Sequence, residues 1–180
     1  MAVTWNLFGS LPPVNSLVEL RDSSSFKPLP DLILFGTQEC QRSLCLSFCC
    51  EAKGEWEEML SEVFNQYLIA ASHTMGGLHS AILIKHQLKD HFEVDRKEKL
   101  KAGACNLLGN KGSISLEATL LGQQFQFINC HLAAHQKESN ERNQTIVRII
   151  DELVHKDLQT DILFLGDFNY RIEMEEKEYK

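Results

Sequence analysis

The chain has 180 residues, enough for one domain with its own hydrophobic core and too few for two domains of ordinary size. With 43% hydrophobic and 24% charged residues it lies in the globular range, so intrinsic disorder is not expected. The formal net charge of -7 disfavours a broad electrostatic contact with nucleic acid or an anionic membrane, although a small basic pocket is compatible with it.

The N-terminal segment and the cysteine content bear on the cellular compartment. The segment MAVTWNLFGS has neither a basic region nor a long apolar one, so we expect no secretory signal. No stretch approaches the ~20 apolar residues that a membrane-spanning helix needs. The six cysteines follow no zinc-binding spacing and are too sparse for a disulfide framework. We interpret them as free thiols of a protein in the reducing cytoplasm.

The first part of the chain predicts two strands and a helix. VTWNLF has the period-two alternation of a strand, whereas residues 11–30 contain all four prolines and a serine run and predict an exposed loop. The continuous apolar run DLILF predicts a strand buried on both faces, with Glu39 where the strand stops. Helical spacing begins at Glu55, with an apolar stripe formed by Trp56, Met59, Leu60, Val63 and Tyr67.

The remainder predicts hairpins and a second helix. YLIAASH and SAILIK form strands around a turn at residues 75–77, with HFEVDR as a weaker third strand. KGSISLEATLLG and QFQFINCHL form an antiparallel pair across a turn at residues 122–123. A helix over residues 137–155 leads to the buried strand DILFL. Hairpins mixed with amphipathic helices predict a single α/β layered domain with partly antiparallel sheets.

Polar side chains follow four of the predicted strands, where packing alone does not require them. They are Asn6, Glu39, His131, and the pair Asp167 and Asn169. If the strands share a sheet and a direction, these groups converge, and their carboxylate and amide oxygens form the hard ligand set that Mg²⁺ prefers. A carboxylate can accept a proton from water and a histidine can donate to a phosphoryl oxygen, which favours metal-assisted phosphate ester hydrolysis. Taken singly, each residue is more often a turn or helix-cap residue.

Two further segments carry candidate anion-binding groups. The loop LLGNKGS combines two glycines with Lys111, and freed backbone amides next to an ammonium suit an anion, although Asn-Lys-Gly is also an ordinary turn. HLAAH places His131 and His135 four residues apart but lacks the glutamate of the HExxH zinc motif. One of these histidines is alternatively a support for the other or a cap for the following helix.

The ordered motifs TWN, GTQE, GNKGS, CHLAAHQKESNERNQ and FLGDFNYRI closely resemble those of the inositol polyphosphate 5-phosphatases. These enzymes belong to the endonuclease/exonuclease/phosphatase superfamily, and the resemblance extends over nearly the whole chain. It implies a four-layer αββα sandwich of the kind shared with deoxyribonuclease I.

The resemblance implies a role for each residue of the strand-end set. Asn6 and Glu39 would hold Mg²⁺, and Asp167 would orient or deprotonate the attacking water. Asn169 would contact the scissile phosphate or the metal. His131 would stabilise the phosphoryl oxygens.

The resemblance also implies how the substrate is held. Lys111 and Arg171 are similar to anion-facing groups of the family, His135 is a supporting candidate, and Tyr170 is expected to pack rather than bind. The substrate would be a phosphoinositide lipid or a soluble inositol polyphosphate, with loss of its 5-phosphate. We therefore expect a cytoplasmic protein, peripheral at the cytosolic membrane face where it meets lipid, without a nucleic-acid partner.

The sequence departs from the family in its length. The family's catalytic domain is nearly twice as long, and neither its Cys-Asp-Arg motif nor its Ser-Asp-His segment occurs here. We therefore interpret residues 1–180 as the N-terminal half of that domain, incomplete at the C-terminus, with impaired hydrolysis. The alternative is a catalytically inactive product that acts as a binding or interaction module. A nuclease of the same superfamily is a third reading, which the acidic charge disfavours.

Overall fold

A computed structural model gives the structure of the chain and describes residues 1–23, 27–40, 53–102, 111–154 and 160–171. Within these residues the chain forms eight strands and three α-helices, and none of the helices is long and apolar enough to cross a membrane. In chain order the elements are β1 (Ala2–Asn6), α1 (Val14–Asp22), β2 (Leu32–Gln38), α2 (Gly54–Val63), β3 (Tyr67–Met75), β4 (Leu78–Lys85), β5 (Phe92–Ala102), β6 (Lys111–Leu120), β7 (Gln123–His131), α3 (Ser139–Glu152) and β8 (Asp161–Asp167).

The strands form two four-stranded mixed sheets, in the orders β1-β2-β4-β3 and β5-β6-β7-β8. Each sheet has one parallel pair, β1 with β2 in the first and β7 with β8 in the second. The other neighbours are antiparallel, including the predicted pairs β3 with β4 and β6 with β7. Because parallel strands end at the same edge, Asn6 lies beside Gln38 in one sheet and His131 beside Asp167 in the other.

The core has three apolar layers, which the alternation of side chains along each strand produces. On β2, Ile33 and Phe35 face α1 and α2, while Leu34 packs between the sheets against residues such as Phe127. On β7, Ile128 faces the other way and packs against α3. Helices therefore cover both outer faces of a two-sheet sandwich, as expected from the sequence motifs.

The prediction of a loop over residues 11–30 is wrong, because Val14–Asp22 forms α1. The four prolines flank the helix rather than interrupt it, and Pro13 is the residue at its N-cap. The helix buries Leu17 completely against the core that also contains Trp56. The prolines therefore lie before and after a helix, and the sequence signal for that helix, a single buried leucine, was weak.

Other predicted boundaries shift by smaller amounts. The weak strand prediction at HFEVDR is the beginning of β5, which has 11 residues and pairs with β6 along its length. The helix predicted over residues 137–155 begins as an α-helix at Ser139 and ends at Glu152. Of the cysteines, Cys40 and Cys130 are buried free thiols, and burial raises their pKa values to about 11 and about 12. The other four cysteines lie outside the described residues.

A stability measurement tests the unexpected helix. Leu17→Ala is expected to lower the free energy of unfolding by about 2–4 kcal/mol, because Leu17 is fully buried and its truncation leaves a cavity. The control Val14→Ala, at a position 45% exposed in the first turn, is expected to change it by less than about 0.5 kcal/mol. Urea denaturation of the variants measures both effects, and an equally small loss for the two would contradict the buried helix.

Candidate active site

The strand ends of the two sheets meet at one edge of the sandwich. Asn6 at the end of β1 donates a hydrogen bond from Nδ2 to Oδ2 of Asp167 at the end of β8, over 3.0 Å. This bond crosses from one sheet to the other, since β1 and β8 belong to different sheets. The structure thus brings together side chains that are 161 positions apart in the chain.

His131 lies between the two carboxylates of this edge. Its Nε2 is 3.5 Å from Oδ2 of Asp167 and 3.8 Å from Oε1 of Glu39. The ammonium of Lys111 lies 2.5 Å from the same nitrogen, and the tautomer of the ring decides which of its nitrogens donates and which accepts. A ring that carries a proton on Nε2 can donate from it to either carboxylate or to an anionic substrate. The His131 side chain is 4% exposed, so these interactions are strengthened by a low local dielectric.

The turn after β8 fixes the orientation of Asp167. Its Oδ1 accepts a hydrogen bond from the backbone N–H of Asn169 at 3.0 Å, and the Asn169 side chain donates to the carbonyl of Leu132 at 3.0 Å. Asn169 has a φ of 53°, a region that asparagine tolerates better than most residues. Gly166 has a φ of 136°, and a Cβ there would lie 2.1 Å from the carbonyl oxygen of Cys130. The backbone of this turn therefore favours Gly166 before Asp167 and Asn169 after it.

Asn6 and Glu39 present oxygen atoms on neighbouring strand ends. Glu39 has a φ of 52°, and its carbonyl accepts a hydrogen bond from Gly9. Oδ1 of Asn6 accepts from the N–H of Phe8 at 3.0 Å and retains a second lone pair. The described residues contain no group of three or more His, Cys, Asp or Glu that could hold a metal ion. One or two carboxylates supplemented by amide oxygen, water and substrate oxygens nevertheless fit Mg²⁺, which needs no closed protein cage.

Two of the sequence-predicted residues lie apart from this cluster. His135 is exposed with a φ of 73°, and Arg171 is exposed at the end of the last described range. Within the described part of the chain, no hydrogen bond or ion pair joins either side chain to the carboxylates or to His131. Their assignment to substrate binding stays a prediction.

Sequence reasoning assigned no role to Arg142, which is 2% exposed. From α3 its Nη1 donates to the carbonyls of Ala133 and His135, at 3.1 Å and 2.6 Å. Its guanidinium also lies 5.1 Å from the centroid of the Tyr170 ring, whose hydroxyl donates to Asn143. Arg142 therefore joins the loop after β7 to the segment after β8. Arg142 lies four residues before Ile146 and therefore falls on the apolar stripe of α3. A charged residue within an apolar stripe was the sequence signal that could have revealed its structural role.

The two-sheet sandwich with helices on both faces has the fold of the deoxyribonuclease I-like class. It matches the inositol polyphosphate 5-phosphatase domain of SPsynaptojanin, solved with inositol (1,4)-bisphosphate and calcium ion, with a TM-score of 0.74 and 23% identity. That match covers 99% of this chain and 54% of the other. Danio rerio TDP2 complexed with a single-strand DNA product matches with a TM-score of 0.60 and 16% identity, over 95% of this chain and 61% of that one. At these identities the likeness establishes the fold alone, and it confirms the predicted fold class.

The family model described as Endonuclease/Exonuclease/phosphatase family 2 matches residues 3–180, and the chain belongs to this family. Curated relatives include phosphatidylinositol 3,4,5-trisphosphate 5-phosphatase 2A of Danio rerio, 28% identical over 197 residues. Phosphatidylinositol 3,4,5-trisphosphate 5-phosphatase 1 of Mus musculus is 26% identical over 195 residues. These matches cover 97% and 95% of this chain, which spans only 15% and 16% of the relatives. The resemblance recognised in the sequence motifs is confirmed.

Replacing the glycine before Asp167 tests the backbone requirement. Gly166→Ala is expected to lower the free energy of unfolding by about 3 kcal/mol, because its Cβ would meet the Cys130 carbonyl in an unfavourable backbone conformation. The control Gly122→Ala has a φ of 80° but open space around its Cβ, so a loss of only about 1 kcal/mol is expected. Thermal and urea unfolding compare the two variants. Equal losses of unfolding free energy in the two variants would show that the backbone can move away from the Cys130 carbonyl with little loss of stability.

Proposed function

We propose that this chain carries the metal-binding and water-activating residues of an inositol polyphosphate 5-phosphatase. The observation that supports this most directly is the His131 ring, which faces the carboxylates of both Glu39 and Asp167 where the two sheets meet. Family membership and the relatives' names as phosphoinositide 5-phosphatases support the same reaction. The substrate is the 5-phosphate of a phosphoinositide or of a soluble inositol polyphosphate.

In the proposed reaction the site residues divide the chemistry between them. Asn6 and Glu39 would hold Mg²⁺, which when bound would supply positive charge beside the phosphate oxygens. Asp167, oriented by hydrogen bonds from Asn6 and from the backbone of Asn169, accepts a proton from the attacking water. His131 donates a hydrogen bond to a phosphoryl oxygen as negative charge develops there. The inositol 5-oxygen leaves as its bond to phosphorus breaks and takes up a proton from solvent water.

In this proposal the basic groups around the cluster bind the phosphate groups of the substrate. Lys111 already contacts the imidazole of His131, so its ammonium lies beside the proposed phosphate position. In the proposal Asn169 contacts the scissile phosphate or the metal, Arg171 faces an anionic group of the substrate, and His135 has a supporting role. This arrangement concentrates positive charge locally within a chain whose formal net charge is -7.

Turnover by the chain itself is proposed to be slow. Its 180 residues contain neither the Cys-Asp-Arg nor the Ser-Asp-His motif that the family resemblance associates with acid/base chemistry and substrate selection. Binding of inositol phosphate without turnover would favour the alternative function, a catalytically inactive binding module. Calorimetric titration with a soluble inositol polyphosphate in Mg²⁺ provides that measurement beside the activity assay.

The role of Asp167 is tested with Asp167→Asn. Phosphate release from radiolabelled inositol 1,4,5-trisphosphate is expected to be slow, Mg²⁺-dependent and specific for the 5-position, and to fall by about 100-fold or more in the variant. The matched control is Asp161→Asn at the exposed opposite end of β8, which should retain wild-type release. Release that persists in EDTA, or that survives Asp167→Asn, would contradict the proposed mechanism.

A cytoplasmic protein that acts on phosphoinositides also contacts a membrane surface, and this is part of the proposal. Phe8 is 87% exposed in a tight turn with a φ of 52°. Its backbone N–H is bound by Asn6, and the next residue, Gly9, donates to the carbonyl of Glu39. The turn that carries this aromatic ring is therefore attached to both proposed metal ligands. No nucleic-acid partner is proposed, and a plasmid-nicking assay is expected to be negative.

Vesicle binding tests the contact through Phe8. With phosphatidylcholine vesicles containing phosphatidylinositol 4,5-bisphosphate, Phe8→Ser is expected to weaken co-sedimentation by about ten-fold, because burial of a phenylalanine contributes about 1.5–3 kcal/mol. Leu121→Ser is the matched control, since Leu121 is also exposed, at 62%, with a φ of 53°, in the turn between β6 and β7 at the opposite end. Equal weakening by both substitutions would contradict a specific contact at the site.

A further inference from the structure

A pair of buried amide side chains joins the two sheets beneath the candidate active site. Gln38 at the end of β2 is 1% exposed, and Asn129 on β7 is fully buried. Nε2 of Gln38 donates a hydrogen bond to Oδ1 of Asn129 over 2.7 Å. Because β2 and β7 belong to different sheets, this bond spans the interior of the sandwich.

The orientation of Asn129 is fixed by its other hydrogen bonds. Its Nδ2 donates to the carbonyls of Thr37 and His79, at 3.2 Å and 3.1 Å, which lie on two strands of the opposite sheet. Nε2 of Gln38 also contacts the carbonyl of Gly36 at 3.2 Å. A flipped Asn129 amide would oppose its oxygen to two carbonyl oxygens, so one orientation is strongly favoured.

The backbone of β2 leaves space for this pair. Gly36 faces the second sheet, and a Cβ at this position would lie 3.1 Å from Cγ of Asn129 and 2.5 Å from Cδ1 of Leu165. The two sheets can therefore approach each other closely enough for one side-chain hydrogen bond to connect them. Because Gly36 has no side chain, there is room for the hydrogen-bonded pair Gln38 and Asn129. We name this pair the amide bridge.

The amide bridge lies directly behind the residues that carry the proposed chemistry. Gln38 immediately precedes Glu39, and Asn129 is two residues before His131, on the same face of β7. Glu39 follows β2 of one sheet and His131 ends β7 of the other, and their side chains are 3.8 Å apart. We propose that Gln38 and Asn129 are positioning residues that set this separation, and through it the affinity of the site for a divalent cation. The inference rests on the proposed function for its chemical meaning.

Apolar replacement distinguishes positioning from a role in stability alone. Gln38→Met and Asn129→Leu each leave one buried amide without its partner, so both single variants are expected to unfold at a lower temperature. In the double variant the two apolar side chains can pack together, so part of the lost thermal stability is expected to return, although the carbonyls of Thr37 and His79 still lack the Asn129 donor. The affinity of the double variant for Mn²⁺ or Mg²⁺, measured by calorimetry, is expected to remain about ten-fold weaker than that of the wild-type chain. The reason is that the residues supporting the metal site would be displaced.

A second buried amide on β7 supplies the matched control. Gln126 is fully buried and donates to Oγ of Ser115 at 2.9 Å and to the carbonyl of Leu153 at 2.5 Å. Gln126→Met is expected to lower the unfolding temperature while leaving cation affinity and any phosphate release unchanged. The comparison separates the loss of a buried amide from the loss of the bridge between the sheets.

A crystal structure of the double variant provides a readout that does not depend on activity. The distance between Oε1 of Glu39 and Nε2 of His131 is expected to increase beyond 3.8 Å. An unchanged distance with unchanged cation affinity would overturn the positioning role. If the wild-type chain binds no divalent cation and releases no phosphate, the proposed function fails, while this distance still decides whether the amide bridge positions the two residues.

Discussion

This site can exist only where the ends of two separate sheets meet. The hydrogen bond from Asn6 to Asp167 joins those two ends. Away from the site, the sheets pack through apolar side chains such as Leu34, Ile82 and Phe127. Such packing is non-directional and does not by itself fix the relative position of two strand ends. Directional hydrogen bonds between the sheets occur at the end where the polar residues collect, and they define the geometry that packing leaves open.

The same edge must hold two carboxylates close together in an acidic chain. Glu39 and Asp167 both face Nε2 of His131, and like charges at short range disfavour a compact arrangement unless a cation compensates them. Lys111 supplies one positive charge at this point. A divalent cation on the oxygens of Asn6 and Glu39 would more than offset the remaining negative charge, which favours the proposed metal site.

The sequence predicted the strands and the convergence of their polar ends, because period-two patterns and abrupt changes to polar residues are local signals. It did not predict how the strands divide between two sheets, which depends on contacts between distant segments. For this reason the amide bridge of Gln38 and Asn129 was not anticipated, although each residue is a polar position within an apolar strand. Helix α1 was missed because the four prolines were a stronger local signal than its single buried residue, Leu17. Arg142 was missed because one charged residue in an apolar stripe looks like an interruption of the stripe.

Neutral amides, rather than charged groups, orient most of this site, and this choice has a physical reason. Asn6 and the backbone of Asn169 bind the two oxygens of Asp167, while Gln38 and Asn129 connect the sheets behind Glu39 and His131. A lysine or arginine in these supporting positions would add charge and compete with a metal ion for the carboxylates. An amide donates and accepts hydrogen bonds without changing the net charge, so it can fix the geometry and leave the carboxylates available to a cation.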